Sequence, residues 1–155
     1  MLFLTADQLD RMRALGAASY AHECCGALFG RERGNDREVA ALFPLANRRD
    51  DAPGNRFAIA PGDFRAAEQA ARRQGLDIIG WYHSHPDHPA RPSEFDLEHA
   101  WPWYSYVIVS VVERKPGEVA SWRLADDRTQ FAHEEIGVQP QPLVGRAEVQ
   151  ARATG

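Results

Sequence analysis

Apolar and polar positions along this chain repeat with two different periods, and the changes of period mark out its elements. Leu9, Met12 and Leu15 recur at threefold spacing behind Thr5-Ala6-Asp7-Gln8. That tetrapeptide is a capping-box signature, in which the Thr5 hydroxyl and the Gln8 amide satisfy orphan helix donors. A first helix is therefore predicted from Thr5 to about Tyr20. The apolar runs "CCGALFG" (24–30) and "VAALFPL" (39–45) flank the polar turn "RERGNDRE" and read as the two strands of a hairpin. The charged stretch 46–55, which contains Pro53-Gly54, reads as a loop, and "RFAIA" (56–60) as a strand.

Pro61, Gly62 and Asp63 open an Ala-rich helix through about Gln74, closed by Gly75. The largely apolar "LDIIGWYHSH" (76–85) is the next strand. Ser93 is placed to cap a short helix whose first turn is acidic, where the helix dipole favours carboxylates. Three antiparallel strands complete the pattern: "YSYVIVSVVE" (104–113), "EVASWRLA" (118–125) and "TQFAHEEI" (129–136). Turns are expected at Lys115-Pro116-Gly117 and at Asp126-Asp127. The implied class is α/β, a mixed and largely antiparallel β-sheet packed with helices. Residues 1–137 form one domain, and 138–155, with two prolines and little periodicity, form a flexible tail.

With 155 residues and 44% hydrophobic content, the chain buries a core of its own, so it has no need of a metal to fold. A net charge of −4 gives no basic footprint for nucleic acid or an acidic membrane. No apolar run is long enough for a signal-peptide core or a membrane span, and the expected location is cytoplasmic. Adjacent Cys24 and Cys25 are poorly placed to bridge to one another, which agrees with a reducing compartment.

The chemistry concentrates in "HSHPDHPARPSEFD" (83–96). Side chains alternate faces along a strand, so His83 and His85 project to one side and Ser84 to the other. Asp96 lies one turn into the following helix and can return to the same point across a loop held by Pro86, Pro89 and Pro92. Two imidazoles and one carboxylate suit a catalytic zinc whose fourth position holds water, whereas structural zinc more often closes with four ligands, cysteine among them. A cysteine ligand from Cys24 or Cys25 is the alternative that would make the site structural. A thiol nucleophile lacks a spare base, because the histidines are better explained as ligands, and buried, inert cysteines are expected. His88 is expected in solvent, and Trp101, Trp103 and Tyr104 as core and strand anchors.

The stretch His-x-His-x7-Ser-x2-Asp, with Glu23 upstream in "HECCGALFG", resembles the JAMM (MPN-plus) metalloprotease motif. The resemblance runs from about Leu9 to Ile136 and takes in "NRFAIAPGDF" and "YSYVIVSV". It implies an MPN fold with cytidine-deaminase-like layering. It implies that His83, His85 and Asp96 ligate zinc, that Glu23 shuttles the proton and that Ser93 donates to the oxyanion. Small bacterial relatives imply a further expectation: hydrolysis of the amide after the Gly-Gly tail of a ubiquitin-fold sulfur-carrier protein, releasing an amino acid such as cysteine or a short extension. The extended tail is expected to add to a sheet edge and pass a tight channel. The competing class is a non-catalytic MPN-type scaffold that keeps its zinc site. A nucleobase deaminase is disfavoured, since no Pro-Cys-x-x-Cys occurs.

Overall fold

A computed structural model describes residues 1–47 and 59–140. The elements are β1 (Leu2–Thr5), α1 (Ala6–Ser19), β2 (Cys25–Arg33), β3 (Asp36–Leu45), α2 (Pro61–Arg73) and β4 (Asp77–Pro86), then α3 (Glu94–His99), β5 (Ser105–Val112), β6 (Lys115–Leu124), β7 (Phe131–Glu134) and β8 (Ile136–Gln139). They build one eight-stranded sheet in the order β7-β6-β5-β4-β2-β3-β1-β8. The pairs β1–β3, β1–β8 and β4–β5 are parallel and the others antiparallel. The expected mixed α/β class is therefore the observed one.

β7 and β8 stand at opposite ends of the strand order, yet only Glu135 separates them. The sheet must curl until its two ends meet, and the Glu135 carbonyl accepts a 2.8 Å hydrogen bond from the Leu2 amide at that seam. Helices cover both faces. On one, Leu9 and Met12 of α1 pack with Leu28, Ile79, Tyr82 and Val109. On the other, Ala67 and Ala71 of α2 pack with Phe29, Ile78 and Trp81.

The capping box of α1 is present, with Thr5 Oγ1 accepting from the Gln8 amide at 3.1 Å and Gln8 Oε1 from the Thr5 amide at 2.9 Å. Gly75 takes a left-handed φ of 67° just past α2, as a helix stop requires. The hairpin β2–β3 forms as expected. The turn expected at Lys115-Pro116-Gly117 does not. The reversal lies at Glu113-Arg114, whose φ values of 49° and 69° make a two-residue hairpin turn, and Lys115 already pairs with Val112. Pro116 is tolerated in β6 because β7 pairs only from Ser121 onward, leaving its other side free of ladder partners.

Two strands carry too little pattern to be foreseen. β1 has four residues and β8 four, and each is defined by its parallel pairing with the other. β8 extends the ordered sheet to Gln139, two residues into the expected tail; the rest of that tail from 141, the loop 48–55 and the start of the expected strand 56–60 lie outside the described residues. No helix among the described residues is long and apolar enough to cross a membrane.

Gly80 marks a close approach between β4 and β5. A Cβ there would overlap the Ser105 carbonyl across the β4–β5 ladder. Gly80→Ala is expected to lower unfolding stability by about 1–3 kcal/mol through this overpacking. Gly62→Ala, with open space around the added methyl, should be neutral or slightly stabilising. Urea denaturation of both variants checks this, and equal stabilities would contradict the reading of the β4–β5 contact.

Candidate metal centre

Parallel strands cannot be joined by a tight turn, so the chain must cross over between β4 and β5. That crossover begins at the carboxyl end of β4, where the histidines stand, and its helix α3 returns over the same face. β4 is nearly all buried, with His83 1% and His85 5% exposed. Ser84 points the opposite way, where its Oγ accepts from the Cys24 amide at 2.8 Å and its Cβ faces Gly16 of α1. The alternation expected along this strand is observed.

α3 opens with a second capping box. The Ser93 Oγ accepts from the Asp96 amide at 3.1 Å, and Asp96 Oδ2 accepts from the Ser93 amide at 2.8 Å. This fixes the carboxylate rotamer and aims it at β4. Asp96 Oδ1 lies 3.3 Å from His83 Nε2, Asp96 Oδ2 lies 3.2 Å from His85 Nε2, and the two Nε2 atoms are 3.0 Å apart. All three donor atoms fall within 4.8 Å of one another.

His85 Nδ1 sits 3.1 Å from the Pro89 carbonyl, which can only accept, so Nδ1 carries the proton and Nε2 presents its lone pair to the Asp96 carboxylate. Two acceptors facing each other at that distance need a proton or a cation between them. The donor set thus fits a metal ion: two imidazole nitrogens and one carboxylate, with the remaining coordination left open. The supporting carbonyl is itself held by its loop. Ser110 Oγ donates to the His88 carbonyl at 2.6 Å, and Trp122 Nε1 donates to the Ala90 carbonyl at 3.0 Å.

Burial lowers the pKa of His83, with Asp96 opposing it incompletely. Burial acts the same way on His85, but there the Asp96 carboxylate and the Pro89 carbonyl prevail and the pKa is raised. Burial pushes Asp96 up, yet His83, His85 and the Ser93 amide hold it well below the usual carboxylate range. At neutral pH the carboxylate is ionised, and a metal competes with a proton for the space between Asp96 Oδ2 and His85 Nε2.

Glu23 lies just before β2. The ladder pair Cys25–His83 is extended by the Ser84 amide donating to the Cys24 carbonyl at 3.1 Å, which leaves Glu23 beside the end of β4, near enough for its charge to act on His85. Glu23 is 5% exposed, its backbone carbonyl accepts from Asn47 Nδ2 at 3.1 Å, and its charge helps to raise His85.

A family model described as prokaryotic homologs of the JAB domain matches residues 5–125 of the chain. The chain belongs to this family. It is a JAMM-type hydrolase, as its similarities to named relatives also indicate. It is 34% identical to a desampylase of Haloferax volcanii over 70% of this chain and 80% of that one. It is 32% identical to a probable TtuB-protein conjugate cleaving protease of Thermus thermophilus, over 70% of this chain and 69% of that one. Among solved structures, protein DSY2949 of Desulfitobacterium hafniense superposes with a TM-score of 0.80 at 34% identity, covering 91% of this chain and 94% of that one.

Within this JAB domain the structure brings His83, His85 and Asp96 together and places Ser93 next to Asp96, while Glu23 lies outside this donor cluster. His88 is exposed and outside the donor cluster. Cys24 is partly buried and Cys25 buried, and neither belongs to the donor cluster. Burial and the neighbouring Cys24 push the Cys25 thiol up to about 12, so it is no nucleophile at neutral pH. One expectation is corrected: Trp101 and Trp103 are not core anchors but 62% and 42% exposed. Tyr104 packs edge-on to Trp81 at 5.8 Å beside them. The proline between the two tryptophans was the available signal, since it marks the end of the crossover before the apolar strand β5 rather than part of that strand.

Replacing Asp96 by Asn keeps an oxygen for the Ser93 amide and so spares the helix cap while removing the charge. Asp96→Asn is expected to retain wild-type stability to within about 1 kcal/mol and to lose zinc through dialysis, as read by metal analysis. Full zinc occupancy in that variant would remove Asp96 from the ligand set. In the wild type, zinc affinity should fall about tenfold per pH unit once His85 protonates, because binding must release that proton. A flat profile in competition titrations from pH 7.5 to roughly 5 would argue against His85 as a ligand.

Proposed function

We propose that this protein is a zinc-dependent peptidase or isopeptidase that cleaves the amide following the C-terminal diglycine of a ubiquitin-fold protein. The substrate class is a sulfur-carrier protein, and the released group is cysteine or a short extension. The convergence of His83, His85 and Asp96 on one point, with the Glu23 charge near enough to act on His85, carries this reading. Similarity to the Thermus relative, a probable TtuB-protein conjugate cleaving protease, supports a protein conjugate as substrate.

A zinc ion held by these three residues supplies a water of lowered pKa and polarises the carbonyl to be attacked. Glu23 accepts a proton from the attacking water and hands it to the leaving amine. Because the Ser93 oxygen already accepts from the Asp96 amide, its hydroxyl proton is free to be donated to the developing oxyanion. One hydroxyl thus caps α3 and serves the reaction without conflict.

Incubating a diglycine-ended carrier protein bearing a C-terminal cysteine with the zinc-loaded enzyme tests this by intact mass. Loss of one cysteine residue is expected, and Glu23→Gln should slow it by about 10²–10⁴-fold while zinc stays bound. Intact substrate in the presence of bound zinc would count against this reading and raise that of a binding scaffold.

A further inference from the structure

A diglycine has no side chains, and a narrow channel would suffice for it. The metal centre instead opens into a cleft of about 620 Å³ whose lining is mainly apolar. Phe64 of α2, Trp81 of β4, Phe95 of α3, Trp101 and Tyr104 contribute to its walls, and His83 and Asp96 line it too, so the cleft is continuous with the donor atoms. Glu23 lines a separate, smaller pocket of about 400 Å³ together with Cys24 and Asn47.

The cleft is built rather than incidental. Trp101 is 62% exposed yet held in place: its amide donates to the Tyr106 hydroxyl at 2.8 Å, and the Arg128 guanidinium lies 5.4 Å over its ring. Arg128 is anchored in turn by a 2.9 Å bond to the Ala100 carbonyl. Phe64 lies against Trp81 at 5.6 Å. Large aromatic surfaces fixed in advance at the mouth of a polar site are the anchors on which binding energy concentrates.

We infer that this cleft is the subsite for the acyl side of the substrate and selects a bulky apolar side chain at the residue preceding the diglycine. The inference rests on the peptidase reading, because the direction of the chain follows from it. Glu23 protonates the leaving amine, so the amine departs past Glu23 and the acyl chain lies on the other flank, over His83 and Asp96. At about 3.3 Å per residue, the residue before the diglycine stands roughly 7 Å from the cleaved carbonyl, inside a cavity equal in volume to a sphere roughly 11 Å across. Only a large apolar side chain there displaces the water that otherwise wets Phe64, Phe95 and Trp101.

Two forms of the cysteine-tailed carrier protein, with Phe or Ser before the diglycine and no other difference, test the subsite by kcat/KM. The Phe form is expected to be cleaved roughly tenfold or more faster. Trp101→Ala should narrow that ratio several-fold by raising KM for the Phe form, and Trp101→Phe should restore most of it. Equal cleavage of the two forms by the wild type overturns the subsite and leaves the peptidase reading standing. A uniform loss for both forms in Trp101→Ala assigns Trp101 a structural role and also overturns it. Cleavage of neither form removes both readings together.

Discussion

The parallel pairing of β4 with β5 is the constraint on which the site depends. A parallel neighbour cannot be reached by a hairpin, so the chain leaves β4 at His85, crosses the sheet face and re-enters as β5 at Ser105. The crossover has to carry a helix over the carboxyl end of β4, and α3 is that helix. Its own first-turn requirement, an acceptor for the Ser93 amide, is met by the same Asp96 oxygen that lies 3.2 Å from His85. Helix capping and ligand placement are one interaction.

The supports on either side act on the same strand. Gly16 lets α1 approach Ser84 closely, the antiparallel neighbour β2 pairs Cys25 with His83, and Ser110 of β5, between the inward Val109 and Val111, bonds the His88 carbonyl of the loop that presents the Pro89 carbonyl. Because β4 is interior to the sheet, with β2 and β5 bonded to it, an extended substrate tail finds no edge on β4 itself. The aromatic cleft between α2 and α3 offers the substrate a groove on the face instead.

Elements with a strong period or strong punctuation could be read in advance. Both capping boxes are local chemistry of four residues, and the His-x-His alternation follows from the pleat, so α1, α3 and the two imidazoles were legible. β1 and β8 were not, since four-residue strands exist only through their pairing with residues far away in the chain. Lys115-Pro116-Gly117 misled because a proline is acceptable in a strand that lacks a neighbour, a fact of the sheet and not of the segment. Trp101 and Trp103 looked like core because apolar residues usually are; only the fold shows that both are exposed and that Trp101 stands in the wall of an opening beside His83 and Asp96.

The central claim is that the metal sits on two imidazoles and one carboxylate with a position open to the substrate, and that neither Cys24 nor Cys25 closes it. X-ray absorption of the zinc-loaded protein in solution measures this directly. The account predicts a first shell of nitrogen and oxygen alone at about 2.0–2.1 Å, with imidazole scattering from two histidines. A sulfur scatterer at about 2.3 Å would contradict it, place a cysteine on the metal and make the centre structural.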